Sequence, residues 1–407
     1  MNQRVVITGV GIYSTIGLNI EEVLSSLQQG KSGIHFDQAR IDFGYRSGLS
    51  GRVPEPKLKG VLDRRMRVGL AEQGKYAFIS TEEAMKMAGL DADFMQENEV
   101  GILFGNDSSS RAVIESIDAL RVKKDTSRIG SGSIFQSMNS TVSMNLSVIY
   151  KLRGINTTIS GACASSSHAI GLAYMLIKNG MQEAVVCGGA QELNIYAMGS
   201  FDGLGAFSGR NDDPTKASRP FDRDRDGLVP SGGAATVIIE SLESAQKRGA
   251  KILGEIKGYG FSSDGSHISQ PNVDGPGRAI SMCLKQSGMQ ADDIGYVNAH
   301  ATSTPIGDAN EAQAIHKIFG GKIPVSSTKS MTGHEMWMGG ASEVVYSLLM
   351  MNNDFIAPNI NFENPDEYSA HINIIKQAKE IHFNSFLSNS FGFGGTNSSL
   401  IIERFKK

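Results

Sequence analysis

The sequence predicts an α/β fold built around a largely parallel β-sheet. Short apolar runs rich in β-branched residues alternate along the chain with longer segments of helical periodicity, and this alternation is typical of βαβ units. The chain has 407 residues, of which 40% are hydrophobic. This length exceeds what one ordinary core holds, so we expect a globule of two parts.

The first half of the chain contains four strand-like runs, which are apolar or β-branched and too short for helices. These runs are Val5–Ile7, Val100–Gly105, Ile155–Thr158 and Ala184–Gly189. A helical pattern of Ile170, Leu172, Tyr174, Met175 and Ile177 separates the last two. Because the first strand begins almost at the N-terminus, there is no room for a signal peptide, and we expect a cytoplasmic protein.

The second half repeats this order of elements. Strand-like runs at Ile294–Asn298 and Ile323–Ser326 precede a helical pattern that includes Val344, Val345, Leu348 and Leu349. Only the order of the strands and helices is repeated, because the two halves share few identical residues. The pattern is consistent with an internal duplication.

Cys163 lies where a predicted strand passes into a predicted helix, in the segment Ile159–His168. The free N–H groups and the positive end of the helix dipole favour a thiolate there, and the small neighbouring residues leave space for a substrate carbonyl. These features predict a nucleophile. The alternative is a buried structural cysteine. Cys187 and Cys283 bring the count to an odd number without paired spacing, which indicates reduced thiols and excludes a disulfide framework or a zinc site.

Three later motifs support the catalytic interpretation. His300 follows an apolar strand in Asn298–Asp308, and His334 ends the segment Ser326–His334 before a long helical pattern. Asn389–Asn397 is a glycine-rich loop near the C-terminus. Each has a simpler explanation alone, as a hydrogen-bonded histidine or a turn, but together with Cys163 they indicate one catalytic site.

These motifs resemble those of the β-ketoacyl-acyl carrier protein synthases, and most closely the elongating type I enzymes of bacterial fatty acid synthesis. The resemblance runs nearly end to end, through Arg4–Ile12, Ala217–Asp222, Arg225–Gly227, the cysteine and histidine motifs, and Phe391–Gly395. It implies a thiolase-type fold, in which two similar βαβ halves form five layers, α-β-α-β-α. Residues 1–249 would carry the cysteine, and residues 250–407 both histidines, the lysine and the glycine-rich loop.

The resemblance also implies the reaction, a decarboxylative condensation of a cysteine-bound acyl group with malonyl-acyl carrier protein in fatty acid elongation. Cys163 would be the nucleophile, with its own N–H and that of Phe393 as the oxyanion hole. His300 and His334 would bind the enolate oxygen. Lys329 would keep the histidines neutral, and Glu311 would pair with this lysine.

Further positions match the family's substrate and ion sites. The matching substrate-binding residues are Thr302 and Thr304 for the pantetheine arm, Phe391 and Phe393 for the gate, Met138 of a second subunit, and Asn106 and Trp337 for the acyl pocket. A monovalent cation would lie at Asn298, Glu343, Ser388 and Asn389. No cofactor is expected, because phosphopantetheine arrives on the carrier protein.

The sequence departs from the family at the helix after His334, where Trp337 replaces a glycine. A side chain of this size either fills space left by smaller neighbours or forms a wall of the acyl pocket. Ala301 also replaces a glycine, and Asn106–Ser110 is polar where relatives limit the acyl chain. We therefore keep open the same reaction in a specialised polyene or polyketide-like pathway.

The expected partners are an acidic acyl carrier protein and a second copy of this chain. The net charge of -3 argues against a nucleic-acid surface, and no apolar stretch has the ~18 residues of a membrane span. Two basic clusters are candidates for carrier docking, although either could be an ordinary solvated face. They are Arg64, Arg65 and Arg67, and Arg121, Lys123 and Lys124.

Three other classes of protein share this fold. A thiolase needs a second cysteine near the C-terminal loop, but no cysteine follows Cys283. A non-catalytic chain-length partner lacks the active cysteine, whereas Cys163 and both histidines are present here. A type III initiating synthase has asparagine where His334 stands. The sequence therefore favours the elongating enzyme.

Overall fold

The computed structural model describes residues 3–406. Its strands are β1 Val5–Tyr13, β2 His35–Phe36, β3 Leu49–Ser50, β4 Gly101–Gly105, β5 Asn156–Ile159, β6 Ala184–Gln191, β7 Gly233–Ser241, β8 Gly254–Ser263, β9 Tyr296–Asn298, β10 Pro324–Ser326, β11 Phe355–Ile356, β12 Asn373–Ile374, β13 Lys379–Glu380, β14 Ser385–Gly392 and β15 Thr396–Glu403. Its α-helices are α1 Ile20–Gln29, α2 Gln38–Phe43, α3 Arg64–Gly69, α4 Glu72–Ala88, α5 Ala92–Glu97, α6 Ser110–Lys123, α7 Ser133–Ser137, α8 Thr141–Tyr150, α9 Ser165–Lys178, α10 Gly199–Leu204, α11 Leu242–Lys247, α12 Asp274–Ser287, α13 Pro305–Phe319, α14 Lys329–Thr332 and α15 Gly339–Asn352.

The main sheet consists of two sets of strands with the same order. The first set is β1-β7-β6-β4-β5, and the second is β8-β15-β14-β9-β10, with β12 added at its edge. In each set one strand, β7 or β15, is antiparallel to both neighbours, and the strands beyond it are parallel. β1 and β8 pair over three residues, from Val5 with Ile256 to Ile7 with Gly254, and join the two sets.

Helices pack on both faces of each set. α9 and α15 contact each other and lie between the two sets, against β4 and β6 on one side and β14 on the other. α4 covers β1 and β7 from outside, and α12 covers β8 and β15. The predicted α/β class, with two similar halves in five layers, is confirmed. The division at residues 249 and 250 stays a prediction.

The central helices are apolar because they are buried on several sides. Val344, Val345 and Leu348 of α15 belong to the same buried cluster as Ile170 and Ile177 of α9. These are the helical patterns on which the sequence prediction rested. Their burial fixes the two segments that precede the helices, which hold Cys163 and His334.

Parallel strands bring several loops to one edge of the molecule, since ligands in α/β sheets bind beyond the carboxyl ends of the strands. β5 leads to Cys163, β9 leads to His300, and β10 leads through α14 to His334. β14 ends at Gly392 in the glycine-rich loop. Within residues 3–406, no helix is both long enough and apolar enough to cross a membrane.

Candidate active site

Cys163 lies in a single turn of 3-10 helix, Ala162–Ala164, that leads directly into α9. Ala162 has φ of 47°, in the left-handed region that residues other than glycine rarely occupy. The Asp107 carboxylate accepts a hydrogen bond of 3.0 Å from the Ala162 N–H and holds this turn. The strained turn presents the thiol at the N-terminus of α9, at the strand-to-helix junction that the sequence predicts.

The electrostatics of the thiol differ from the sequence-based expectation of a favoured thiolate. Burial raises the pKa of Cys163 to about 12, although Lys329 and the N–H groups of Phe393 and Cys163 act to lower it. Asp107 raises this pKa further through its negative charge. In the resting site, desolvation therefore outweighs the effect of the helix terminus. The two N–H groups that act on Sγ are the ones expected to form the oxyanion hole.

His334 is in direct contact with the thiol, since its Nε2 lies 3.0 Å from Sγ of Cys163. The Met336 N–H donates to Nδ1 of His334 at 3.3 Å, so the ring proton resides on Nε2. Burial lowers the pKa of His334 well below its usual value, and the charge of Lys329 lowers it further. His334 is therefore a neutral imidazole whose Nε2–H points into the site.

His300 completes the cluster. One side-chain atom each of Cys163, His300 and His334 lies within 4.8 Å of the others, and the two imidazole rings are 5.4 Å apart, edge to face. Burial, Lys329 and His334 together hold the pKa of His300 well below its usual value. The sequence prediction that these three residues meet in space agrees with this geometry.

Glu311 fixes the backbone of the His300 segment. Its carboxylate accepts hydrogen bonds from the N–H groups of His300, at 2.9 Å, and Ala301, at 2.7 Å, and from the amide of Asn389 at 3.0 Å. Burial raises the pKa of Glu311 to about 7, against the opposing effect of these donors. Its contacts differ from the expected ion pair with Lys329.

Lys329 pairs instead with Glu343 of α15, and both side chains are buried.

Glu343 Oε2 and both amide atoms of Asn298 are buried without a hydrogen-bond partner among residues 3–406. Unpaired buried oxygens fit the expected monovalent cation. Ser388 pairs with Asn298 in the sheet, whereas the side chain of Asn389 is already engaged by Glu311 and Ser399. Asn298 and Glu343 are thus the side chains that would hold the ion.

The site opens through a cavity of about 370 Å³, whose lining includes Cys163 and both histidines. Thr302 and Thr304 line this cavity with their hydroxyls 3.0 Å apart, as expected for residues that hold a substrate arm. The loop Phe391–Gly395 also lines the cavity. A Cβ on Gly392 would lie 2.9 Å from Thr396 Cγ2 and 3.1 Å from the Cys163 N atom, closer than ordinary van der Waals contact, so glycine lets the loop approach the thiol turn without displacing its neighbours.

The two loop phenylalanines have different surroundings. The Phe391 ring lies 5.9 Å from the His300 ring, inside the site. Phe393 is exposed and stacks on Phe201 at 5.6 Å, near the mouth of the cavity. Phe391 therefore contacts the reacting side chains while Phe393 lies at the surface, and their role as a gating pair stays a prediction.

Trp337 lies in the 3-10 turn Met336–Met338, buried in the same apolar cluster as Cys163. Its Nε1–H donates to the Ser108 hydroxyl at 3.2 Å. The polar segment 106–110 is therefore in contact with Trp337 through Ser108, although Trp337 is not among the residues that line the cavity. The Asn106 side chain is buried and donates to the Asn139 carbonyl at 2.7 Å, so it holds the neighbouring backbone in place.

The residues expected at protein interfaces are on the surface. Arg64 and Arg65 of α3 are exposed, while Arg67 is half-buried and donates to the Leu62 carbonyl at 3.1 Å. Arg121, Lys123 and Lys124 are exposed at the end of α6. Met138 is exposed after α7, together with Ile134 and Phe135.

Sequence reasoning missed three residues that shape the site. Asp107 was part of a segment noted only for its polarity, and its contact with the Cys163 turn depends on the pairing of β4 with β5. Met336, which orients His334, acts through its backbone, so its side chain carried no signal. Arg40 is fully buried beside the apolar cluster of Cys163, and nothing in its local sequence marks it.

Comparisons with known proteins agree with this geometry. Residues 2–245 match the family model described as the N-terminal domain of β-ketoacyl synthase, and residues 253–363 match its C-terminal domain. The 3-oxoacyl-[acyl-carrier-protein] synthase 1 of Haemophilus influenzae is 44% identical over 99% of each chain.

Solved structures share the whole fold at lower sequence identity. A β-ketoacyl synthase from Burkholderia phymatum superimposes with a TM-score of 0.95 at 36% identity, covering 99% of this chain and 100% of that one. A ketosynthase solved in complex with a type II polyketide acyl-carrier protein has a TM-score of 0.89 at 28% identity, with full coverage of both chains.

Proposed function

The chain belongs to the β-ketoacyl synthase family, and we propose that it condenses a Cys163-bound acyl group with malonyl-acyl carrier protein in fatty acid elongation, giving β-ketoacyl-acyl carrier protein. The observation that carries this proposal is the convergence of one thiol and two neutral imidazoles in a buried site. Cys163, His300 and His334 offer side-chain atoms within 4.8 Å of one another.

The first half-reaction is acyl transfer. The Cys163 thiolate attacks the carbonyl carbon of an acyl-carrier thioester, and the carbonyl electrons move to the oxygen. The N–H groups of Cys163 and Phe393 stabilise this oxyanion, and each such donor contributes roughly 2.7–4 kcal/mol. The carrier thiolate then leaves and takes up the proton that the Cys163 thiol gave up, while the acyl group remains on Cys163.

The second half-reaction uses the histidines. Malonyl thioester loses CO2, and the electrons of the broken C–C bond form an enolate whose oxygen accepts hydrogen bonds from Nε2–H of His300 and His334. Both rings are neutral, because burial and Lys329 lower their pKa values. Because neutral N–H donors stabilise the enolate, its formation does not require a strong base. The enolate carbon then attacks the acyl carbonyl, and Cys163 leaves as the thiolate.

The carrier protein and a second copy of the chain are the partners in this proposal. A ketosynthase of similar structure has been solved with its acyl-carrier protein, and Arg64 and Arg65 offer an exposed basic helix for an acidic partner. Exposed apolar side chains at Ile134, Phe135 and Met138 suit a homodimer interface. We also propose a cytoplasmic location and no resident organic cofactor.

The specialised pathway remains a second candidate because of Trp337. Its buried indole lies in the cluster of Cys163, where a flat conjugated chain would stack better than a flexible saturated one. The reaction and its catalytic residues are the same in both pathways. Only the preferred acyl chain differs.

Cys163→Ala tests the proposed reaction. We expect this variant to form no β-ketoacyl product from acyl- and malonyl-carrier, as measured by intact mass, while malonyl decarboxylation persists because the histidines remain. Cys187→Ala is the matched control, since Cys187 is buried in β6 away from the cavity lining. Product formation by Cys163→Ala would exclude this thiol as the nucleophile.

A further inference from the structure

Arg40 of α2 is the largest side chain that is fully buried, with only 1% of its surface exposed. Its Nε and Nη2 have no hydrogen-bond partner among residues 3–406. An arginine remains protonated in proteins, and a buried cation without acceptors is strongly unfavourable. A ligand that supplies an acceptor would remove this penalty.

The nearest charged and aromatic groups do not satisfy these donors. The guanidinium lies 4.4 Å from the Tyr45 ring centre and 6.0 Å from that of Phe207, and ring faces attract a cation without accepting its in-plane N–H groups. Asp202 accepts instead from the backbone of Arg46 at 2.7 Å and of Ser47 at 3.2 Å. Asp37 caps α2 through the Ala39 N–H at 3.1 Å.

The rings that contact Arg40 also belong to the apolar cluster around the nucleophile. Tyr45 and Phe207 share one buried cluster with Cys163 and Trp337. Phe207 also stacks on Phe201, at 6.3 Å, and Phe201 lines the catalytic cavity. Phe201, Phe207 and the Arg40 guanidinium therefore follow one another in consecutive contacts, and of these three residues Phe201 lines the cavity.

We propose that Arg40 ends the acyl pocket and binds an oxygen acceptor at the far end of the acyl chain carried by Cys163. This inference rests on the proposed function, because it requires an acyl group on Cys163. The guanidinium suits a carboxylate, phenol or keto oxygen, which it can bind through two donors. An unsubstituted saturated chain would place a methyl group there and leave the donors unpaired.

The test compares two carriers whose acyl chains have the same number of carbons. One carries octanoyl, and the other carries suberoyl, in which the far end is a carboxylate. Loading of Cys163 by each is followed by intact mass in single turnovers, for the wild-type protein, Arg40→Met and Arg46→Leu. Methionine keeps an unbranched apolar side chain in the buried site, which limits the loss of packing. Arg46 is the control because it is exposed on the same segment.

We expect the wild-type protein to prefer suberoyl, and Arg40→Met to reduce the ratio of suberoyl to octanoyl loading by about tenfold, the effect of one hydrogen bond to a charged group. Arg46→Leu should keep the wild-type ratio. Arg40→Lys, which retains a charged donor, should recover part of the preference.

Equal ratios in the wild-type protein and Arg40→Met would overturn the inference and leave Arg40 with a structural role. If Arg40→Met unfolds, the wild-type protein and Arg40→Lys still decide the question, because a wild-type protein without preference for suberoyl contradicts it. Failure of the wild-type protein to load either chain would contradict the proposed function instead. The two failures are therefore distinguishable.

Discussion

Replacing Trp337 with glycine should both destabilise the protein and widen its acyl preference. Trp337 is 7% exposed and packs in the cluster that contains Cys163 and Met336. Truncating a buried aromatic side chain costs about 3–5 kcal/mol, because the cavity left behind collapses only in part. At roughly 2–4 °C per kcal/mol for a large domain, the melting temperature should fall by on the order of 10 °C.

The space left by the indole lies in the buried cluster that contains Cys163, so we expect it to admit longer saturated acyl chains than the wild-type site does. Single-turnover loading of Cys163 from carriers bearing octanoyl and palmitoyl groups measures this preference, together with thermal melting. Trp337→Phe is the control. It keeps an aromatic wall but removes the Nε1–H donor to Ser108, which is 3.2 Å away in the native contact.

We expect Trp337→Gly to raise the ratio of palmitoyl to octanoyl loading by at least about tenfold and Trp337→Phe to leave it nearly unchanged, since cavity shape rather than the hydrogen bond sets the preference. A Trp337→Gly protein that melts earlier but keeps the native preference would refute this reasoning. Trp337 would then be a packing residue, and the chain limit would lie elsewhere, first at Asp107 and Ser108.

Three further variants test the electrostatics of the site. His300→Ala and His334→Ala should each slow malonyl decarboxylation by about 10²–10³-fold, the effect of one lost oxyanion donor, while acyl transfer to Cys163 stays measurable; a native decarboxylation rate in either variant excludes that histidine from the enolate site. Asp107→Asn should lower the pKa of Cys163, because the Asp107 charge raises it, and so move the pH midpoint of Cys163 alkylation by iodoacetamide downward. An unchanged midpoint would mean that the Asp107 charge does not reach the thiol.

The elements that position the site could be predicted because their signals are local. The apolar periodicity of α9 and α15 and the small residues around Cys163 follow from burial and from the strand-to-helix turn. The three reacting side chains all follow strand ends, which a parallel sheet brings to one edge. The sequence therefore predicted which three side chains would come together, and Cys163, His300 and His334 do so in the structure, while their catalytic roles stay a prediction.

The ion pairs and the raised pKa of Cys163 could not be predicted, because they depend on burial and on distant neighbours. Lys329 was expected to pair with Glu311, but α15 places Glu343 next to it, and Glu311 binds backbone N–H groups instead. The burial of Arg40 likewise could not be predicted from its local sequence. A charged residue on a short helix is normally exposed, and only the tertiary structure places it among aromatic rings.

The site must meet two opposing requirements. Acyl transfer needs a Cys163 thiolate, whereas enolate formation needs neutral histidines, and burial helps only the second because it raises the pKa of Cys163 and lowers those of His300 and His334. A nearby positive charge favours both, since it stabilises the thiolate and disfavours imidazolium. Lys329 supplies that charge, and it lowers all three pKa values.

Removing the charge of Lys329 should therefore impair the thiol most. Lys329→Met alone would leave Glu343 buried and unpaired, which costs about 3–5 kcal/mol, so the variant should also carry Glu343→Leu. We expect the double variant to shift the pH midpoint of Cys163 alkylation upward and to slow acyl transfer at neutral pH, with Glu343→Gln as the control that keeps the lysine. If alkylation of the double variant follows the native pH profile, the lysine does not activate the thiol, and the two N–H groups that face Sγ must provide its stabilisation.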